Sequence, residues 1–301
     1  HSSHRRQRQM CIRDRGYTPG TFYNAWSYFG AVEKAWSWKD RLALSVWGVN
    51  THRGKQGPTY LEMTEIAGTN YYNPYWGYQA GERRNGYVAH HHMPTAVLTY
   101  EHKFNKQSTW RTAASFQFGQ NGATALDWLN ARDPRPDYYR KLPSFADDSL
   151  SAALIYDVLS GDEQQRQIDW DYMYNINRSD NSITTIENAN GGDETVTGKL
   201  ARYIIEDRRY DSKRFAIANT FSEAYSDNFT LYAGANFVWQ KKENFKEVHD
   251  LLGAEFFLDI NEFAERDFPD DPDKGQNDLN NINQILYEGD RFGYDYDAVI
   301  S

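Results

Sequence analysis

Aromatic and polar side chains suited to ligand binding are concentrated in the YYNPYWGY segment. It supplies five candidate binding residues, Tyr71, Tyr72, Asn73, Tyr75 and Trp76. Aromatic rings stack on sugar rings and peptide side chains, while the polar tips of Tyr and Trp form hydrogen bonds. We therefore expect an exposed binding platform here. The alternative is that Pro74 and Gly77 simply form turns, with the rings packed against one another.

A second stretch, DPRPDYYRKLPSF at residues 133–145, combines prolines with aromatic and charged side chains. Proline fixes its own backbone and biases the preceding residue to extended geometry, so the stretch is predicted to be stiff. Its candidate ligand contacts are Arg135, Tyr138, Tyr139 and Arg140. The alternative is an internal lock, with Arg135 and Arg140 paired to Asp133 and Asp137 and with the tyrosines packed on neighbouring loops.

Two motifs resemble metal ligand sets without matching one. Carboxylates at alternating positions bind Ca²⁺, and the weak candidates are Asp270, Asp271, Asp273 and Asp278. Their spacing departs from the EF-hand pattern, so a solvated acidic turn is the favoured interpretation. Residues 90–92 are all histidine, but consecutive strand residues point to opposite faces. We expect no metal site.

Catalytic signatures are missing from the sequence. It contains no G-x-S-x-G, H-E-x-x-H or phosphate-cradling glycine motif. Paired carboxylates such as Asp169/Asp171 and Glu206/Asp207 are the kind that glycosidases use. Such pairs also arise by chance in a chain with 42 acidic residues. We expect no enzymatic activity and no cofactor.

Composition and the N-terminus narrow the class of protein further. A formal net charge of −9 disfavours nucleic acid as a partner. The segment MCIRDR (residues 10–15) resembles a translated sequencing adaptor, so we expect residues 1–15 to be foreign to the native protein. Cys11 is the only cysteine. Without it the chain has neither a disulfide framework nor a thiolate metal site.

The elements that must position the candidate residues are predicted to be long β-hairpins. Residues 21–50, 95–119 and 211–242 each alternate in polarity on either side of a tight turn, at residues 37–40, 105–108 and 226–228 respectively. Leu42, Leu44 and Val46, for example, share one face of a strand. The sequence therefore predicts three antiparallel hairpins, each with a row of apolar side chains along one face, which we call its apolar file.

Much longer excursions separate these hairpins, at residues 51–94, 120–208 and 244–292. We expect a short helix within residues 58–68, with a capping box at Thr59 and Glu62, and one or two helices within residues 147–177. Residues 181–195 are predicted to form a polar flap.

The tight turns thus fall at one end of the hairpins and the long loops at the other. Outer-membrane β-barrels have this arrangement, with short turns on the periplasmic side and long loops outside. Their closed sheets also satisfy backbone hydrogen bonds in lipid. In such a barrel the apolar files would face lipid. The Arg, Gln, Asn and Ser side chains on the opposite face of the strands would face the lumen. An aromatic girdle is expected from Trp36, Trp38, Trp47 and Trp239.

Several loop and strand segments, taken in order, carry a specific resemblance. GTFYNAWSYF, AGTNYYNPYWGYQAGERRN, DPRPDYYRKLPS, YIIEDRRYD and EGDRFGYDYD resemble the barrel of TonB-dependent outer-membrane receptors. The type in question carries an N-terminal carboxypeptidase-regulatory-like domain. The resemblance covers residues 16–301 and implies an internal part of such a barrel, without the plug and the remaining strands.

This resemblance implies a fold, a location and partners. The fold is all-β, an antiparallel up-and-down meander forming part of a transmembrane barrel of about 22 strands, with short helices in long extracellular loops. The location is the cell outer membrane. The partners are outer-membrane lipid, an extracellular nutrient ligand and the TonB complex, reached through the plug; a surface lipoprotein is a further candidate. The alternatives are a secreted all-β module that binds carbohydrate or peptide, and an adhesin or phage receptor on the same barrel.

Overall fold

The computed structural model describes residues 8–188, 192–270 and 285–300. Its strands, in chain order, are β1 (Arg8–Arg15), β2 (Phe22–Ala35), β3 (Asp40–Gly54), β4 (Trp76–Gln79), β5 (Glu82–Asn85), β6 (Val88–His92), β7 (Thr95–Lys103), β8 (Ser108–Trp128), β9 (Ser182–Asn188), β10 (Gly192–Gly198), β11 (Tyr203–Ser226), β12 (Phe229–Asp250), β13 (Phe257–Leu258), β14 (Ile285–Leu286) and β15 (Arg291–Ile300). The α-helices are α1 (Leu61–Ala67), α2 (Ser149–Gly161), α3 (Trp170–Ser179) and α4 (Glu262–Asp267).

Among the described residues, nine strands form one sheet in the order β1-β2-β3-β6-β8-β11-β12-β15, with β7 lying between β3 and β8. All of its pairings are antiparallel, and each neighbour follows in chain order. The predicted all-β class and the antiparallel up-and-down meander are therefore confirmed. The strands β4–β5, β9–β10 and β13–β14 form small separate sheets.

Strands β6 and β7 form one continuous run that is interrupted at Met93 and Pro94. Asn50 of β3 is paired with His92, and Trp47 is paired with Thr95, so the register does not shift across the gap. Proline has no N–H for a ladder hydrogen bond, which explains the interruption. On the adjacent strand a Cβ at Gly119 would lie 2.0 Å from the His92 carbonyl oxygen, so this crossing requires glycine.

The predicted one-sidedness of the connections is confirmed. Residues 36–39, 104–107 and 227–228 join β2 to β3, β7 to β8 and β11 to β12 at one end of the sheet. Residues 55–87, 129–202 and 251–290 connect strands at the other end. We call these two ends the turn end and the loop end. Strands β8, β11 and β12 extend beyond their predicted limits into the loop end, so the excursions are shorter than predicted.

The main sheet is open. Among the described residues, β1 pairs only with β2 and β15 only with β12. The predicted closure into a barrel is therefore not a property of this sheet, and the sheet lends no support to a count of about 22 strands. Pairing between Arg8–Arg15 and β2 uses backbone groups, which any extended segment offers at a sheet edge. It is therefore compatible with a foreign origin for residues 1–15.

We call the half of the sheet nearer the turn end the turn half. One face of it carries a continuous apolar stripe that crosses six strands. One row runs through Val32, Leu44, Leu98, Ala114, Ile217 and Phe237. The next row runs through Gly30, Val46, Ala96, Phe116, Phe215 and Trp239. We call these two rows the apolar band, and we call the opposite side of the sheet, which carries Arg111, Ser115 and Gln117, the polar face.

The apolar band is exposed. Val32, Leu44, Leu98, Phe116 and Phe237 retain between 39% and 55% of their accessible surface. The next row towards the turns mixes apolar and polar side chains, because it contains Lys34, Thr112 and Asn219. The girdle prediction is wrong for Trp47, which lies in the middle of β3 on the polar face, paired with Phe29. Trp36 and Trp38 lie at the turn end as predicted.

The buried hydrophobic core lies in the half of the structure nearer the loop end, which we call the loop half, and not in the turn half. Its three clusters are built around Phe256, Trp170 and Met63, in the connecting segments and in the loop-end portions of β11, β12 and β15. Among the described residues, no hydrophobic side chain of Phe22–Gly54 or of Ser108–Phe118 belongs to this core. The chain therefore has a packed cap above a sheet that is a single layer.

The helices of the cap agree largely with expectation. Helix α1 lies within residues 58–68, as predicted. Helices α2 and α3 correspond to the helices predicted within residues 147–177, with a break after Gly161. The predicted capping box at Thr59 is wrong, because α1 begins after Tyr60 and has no side-chain cap. Glu62 instead accepts hydrogen bonds from Ser144. None of the described helices is both long and apolar enough to cross a membrane.

Candidate functional site

The YYNPYWGY segment is largely buried at the base of the cap. Tyr72, Asn73 and Trp76 are 7%, 1% and 3% exposed. The Tyr72 hydroxyl donates to the Arg166 carbonyl at 2.9 Å, and Asn73 Nδ2 donates to the Pro19 carbonyl at 3.0 Å. The polar groups of Tyr72 and Asn73 are thus satisfied inside the protein. All three candidates are nearly buried and help to hold the cap together.

Tyr71 and Tyr75 differ from their neighbours. Tyr71 is the one predicted residue of this segment that is exposed, and it lies at the cap surface. Tyr75 is half-buried and packs against Tyr87, with ring centroids 5.5 Å apart. The segment therefore does not form the predicted aromatic platform, because most of its rings are used in packing.

The predicted internal lock in residues 133–145 is confirmed for Arg135. Its Nη2 lies 2.5 Å from Asp133 Oδ2, and its Nε lies 3.0 Å from Oδ1. Lys141 closes the same loop, because its Nζ donates to the backbone carbonyls of Asp133 and Arg135 at 2.7 and 3.0 Å. Bidentate pairing of this kind fixes geometry as well as charge. Arg135 is therefore a structural residue of this loop.

The predicted pairing of Arg140 with Asp137 is wrong. Arg140 Nε donates to the Tyr139 hydroxyl at 3.0 Å, and its guanidinium stays at the surface. Asp137 is 5% exposed and lies inside the loop. Leaving Arg140 in water avoids the cost of burying its charge. Tyr138 packs edge-on to Tyr139 at 4.8 Å.

A cavity of about 1010 Å³ lies at the loop end, between the end of β8, the loop around Tyr138, residues 257–263 and the start of β15. Tyr138 and Arg140 line it, so the structure brings two of the predicted candidates together there. Asp127 and Lys246 extend into it from β8 and β12. Both belong to the polar face, so the cavity opens on the side opposite the apolar band.

Buried charges stabilise the floor of this cavity. Glu206 is fully buried, and its carboxylate is 2.5 Å from both Lys246 Nζ and Arg208 Nε. Lys246 Nζ also lies 3.9 Å from Asp127 Oδ2. Partial burial and the neighbouring Glu206 carboxylate raise the pKa of Asp127 to about 6. The two carboxylates of the floor, Glu206 and Asp127, therefore have Lys246 and Arg208 as neighbouring cations.

A hydrogen-bond chain positions Arg132 at the rim. The Tyr203 hydroxyl donates to the Arg132 carbonyl at 2.9 Å. Asn177, which is fully buried, holds Tyr203 in turn: its side chain donates to the Tyr203 carbonyl at 2.8 Å and accepts from the Tyr203 amide at 3.1 Å. The rim thus depends on an asparagine of α3, which sequence reasoning did not identify.

The remaining candidates do not form a site in the described part of the chain. Glu206 and Asp207 point to opposite faces of β11, so they cannot act as a carboxylate pair. Asp207 instead lies 2.8 Å from His90 Nε2. No group of three His, Cys, Asp or Glu within the described ranges could hold a metal ion. Asp270 lies at the end of a described range, whereas Asp271, Asp273 and Asp278 lie outside the described residues.

Comparison with known proteins gives no match: no family model, no curated protein and no solved structure is similar to this chain. The geometry of the band, the cap and the cavity therefore carries the functional interpretation.

Proposed function

We propose that the chain is the strand-and-loop portion of a TonB-dependent outer-membrane receptor, which binds a nutrient on its outer side and imports it with energy supplied through TonB. The observation that carries this proposal is the apolar band on a sheet one layer thick. Contiguous exposed apolar surface is uncommon on monomeric soluble proteins and marks a surface that contacts something apolar. In this proposal the band contacts the hydrocarbon core of the outer membrane.

The dimensions of the strands support this assignment. On β12 the apolar side chains continue past the two rows of the band towards the turn end, from Trp239 to Phe229, over about 33 Å at about 3.3 Å per residue. A strand tilt of about 40° reduces this length to about 25 Å, which is the height of the lipid-facing band of outer-membrane barrels. The open edges of the sheet are where further strands would close the barrel.

The position of the cavity supports a binding role. In a barrel whose band faces lipid, the polar face is turned to the lumen. The cavity lies on this face at the loop end, where the long connections would face outward. A nutrient bound there would lie at the mouth of the lumen. The roles of a plug, of TonB and of a surface lipoprotein rest on the sequence resemblance alone.

The secreted carbohydrate- or peptide-binding module remains the second candidate, since the cavity alone would serve either protein. The two differ in their behaviour towards lipid. When the chain is produced with an outer-membrane targeting signal in Gram-negative cells, we expect it to sediment with the outer membrane. It should resist alkaline extraction and require detergent for release.

Aggregated protein would also sediment, so floatation on a density gradient is the control: inserted chain floats with lipid, and aggregate does not. Recovery of a monodisperse, folded chain from the soluble fraction without detergent would exclude the receptor and favour the secreted module.

A further inference from the structure

We propose that the cavity binds an organic oxyanion, a carboxylate or phosphate joined to an aromatic or apolar group. This inference rests on the proposed function, because it names the chemical class of ligand at the same site. Three cations that form no ion pair with a carboxylate of the described residues, Arg132, Arg140 and Lys141, lie beside an apolar wall in one cavity. This juxtaposition of charge and apolar surface is the feature that such a ligand would complement.

Within the described part of the chain none of the three cations forms an ion pair, although the Asp133 and Asp137 carboxylates lie near enough to Lys141 to act on it. Arg140 donates to the Tyr139 hydroxyl, and Lys141 donates to two backbone carbonyls. Arg132 is exposed at the rim, with its backbone held by Tyr203. Among the side chains that the structure describes, no carboxylate lies within 4.0 Å of any of the three nitrogen groups. Like charges placed together repel, and an anion between them relieves that repulsion.

Two of the three carboxylates that line the cavity lie beside a cation. Asp133 is held by Arg135, and Asp127 lies beside Lys246. Glu262 accepts a hydrogen bond from the backbone N–H of Asn130 at 2.9 Å. The four cations of the lining, Arg132, Arg140, Lys141 and Lys246, outnumber its three carboxylates, Asp127, Asp133 and Glu262. This local excess is opposite in sign to the formal net charge of −9 of the whole chain.

Apolar side chains form the facing wall. Leu129, Phe257 and Phe292 line the cavity from the largest core cluster, and Phe263 lines it while remaining 62% exposed. Guanidinium groups bind planar oxyanions through paired N–H groups. A ligand with its charged group on Arg132 and Arg140 would place an attached ring against this wall. A neutral sugar would leave the cations without a counter-charge.

The test uses a matched pair of probes, N-acetyl-phenylalanine and its amide, which differ in the charge of one group. Binding to the full chain in detergent micelles is measured by calorimetry, with phenyl phosphate as a second oxyanion. We expect the acid to bind at least about tenfold more tightly than the amide, and its affinity to fall as salt screens the charges. A stronger response to phenyl phosphate than to the acid would identify phosphate as the preferred group.

Arg132→Gln and Arg140→Gln should each weaken binding of the acid about tenfold and leave binding of the amide unchanged. About tenfold is the usual effect of losing one charge-assisted hydrogen bond. Arg53→Gln, at an exposed arginine that does not line the cavity, is the control. Acid binding no tighter than amide binding, or unaffected by either cavity variant, would overturn the inference. That result would leave the membrane assignment standing. A chain that binds the acid more tightly than the amide but fails to insert would support the ligand inference and contradict the membrane assignment.

Discussion

Leu98→Arg is expected to lower the free energy of unfolding of the chain in phospholipid vesicles by about 2–4 kcal/mol, the cost of a cation on the lipid face of a barrel near the bilayer midplane. Leu98 lies in the apolar band between Leu44 and Ala114 and is 43% exposed. Urea titration in phosphatidylcholine vesicles, followed by tryptophan fluorescence, measures the change.

Val97→Arg is the matched control, since Val97 is the adjacent residue and points to the polar face between Ser45 and Ser115. We expect a change of less than about 1 kcal/mol, because an arginine in a water-filled lumen keeps its hydration. Equal effects at the two positions, or no loss at Leu98, would show that the band does not meet lipid. Without lipid or detergent, Leu98→Arg should instead increase solubility.

Asn177→Ala is expected to loosen the cap by about 3 kcal/mol or more, because it leaves several buried backbone groups without partners at about 1–3 kcal/mol each. Asn177 is fully buried and bonds to the backbone of Arg202, Tyr203 and Leu251. It thereby ties α3 to the start of β11 and to the end of β12. In the cap, amide hydrogen exchange should accelerate about 100-fold, the rate equivalent of that free energy.

Asn175→Ala on the same helix provides the control, because Asn175 is exposed. Its effect on exchange should stay within about twofold, as for most surface substitutions. If Asn177→Ala leaves exchange in α3 unchanged, Asn177 does not hold the cap. If the cap loosens while the affinity of the cavity for the oxyanion probe is retained, Tyr203 does not position Arg132.

The hairpins could be predicted because their physical signal is local. A strand with one apolar face alternates in polarity every second residue, and residues such as Leu42, Leu44 and Val46 show this directly. The tight turns and the long connections follow from where this alternation stops. The same signal fails in Tyr203–Asp207 of β11, where both faces are covered by the cap and the alternation disappears.

The cavity could be predicted only in part. Tyr138 and Arg140 stand out in a proline-rich stretch, so composition identified them. Asp127, Lys246 and Phe292 lie far apart in the sequence and meet because β8, β12 and β15 converge at the loop end. Their pairing depends on strand register and on the fold of the cap, neither of which a local pattern encodes.

The burial of Tyr72, Asn73 and Trp76 was equally hidden in the sequence. An aromatic-rich segment has the same composition whether its rings face solvent or pack inside. The hydrogen bonds to Pro19 and Arg166 that decide the question come from distant parts of the chain. Buried asparagines such as Asn177 give no local signal for the same reason.

The most direct test of the membrane-facing band is a nitroxide scan along β8. Cys11, the only cysteine, is first replaced by serine. Single labels are then placed at positions 113 to 118 of the chain in lipid vesicles. We predict that labels at Ala114 and Phe116 are accessible to oxygen dissolved in the bilayer, whereas labels at Ala113, Ser115 and Gln117 are accessible to a water-soluble nickel complex. Labels at Ala114 and Phe116 that are reached by the nickel complex, or by neither reagent, would contradict the proposal.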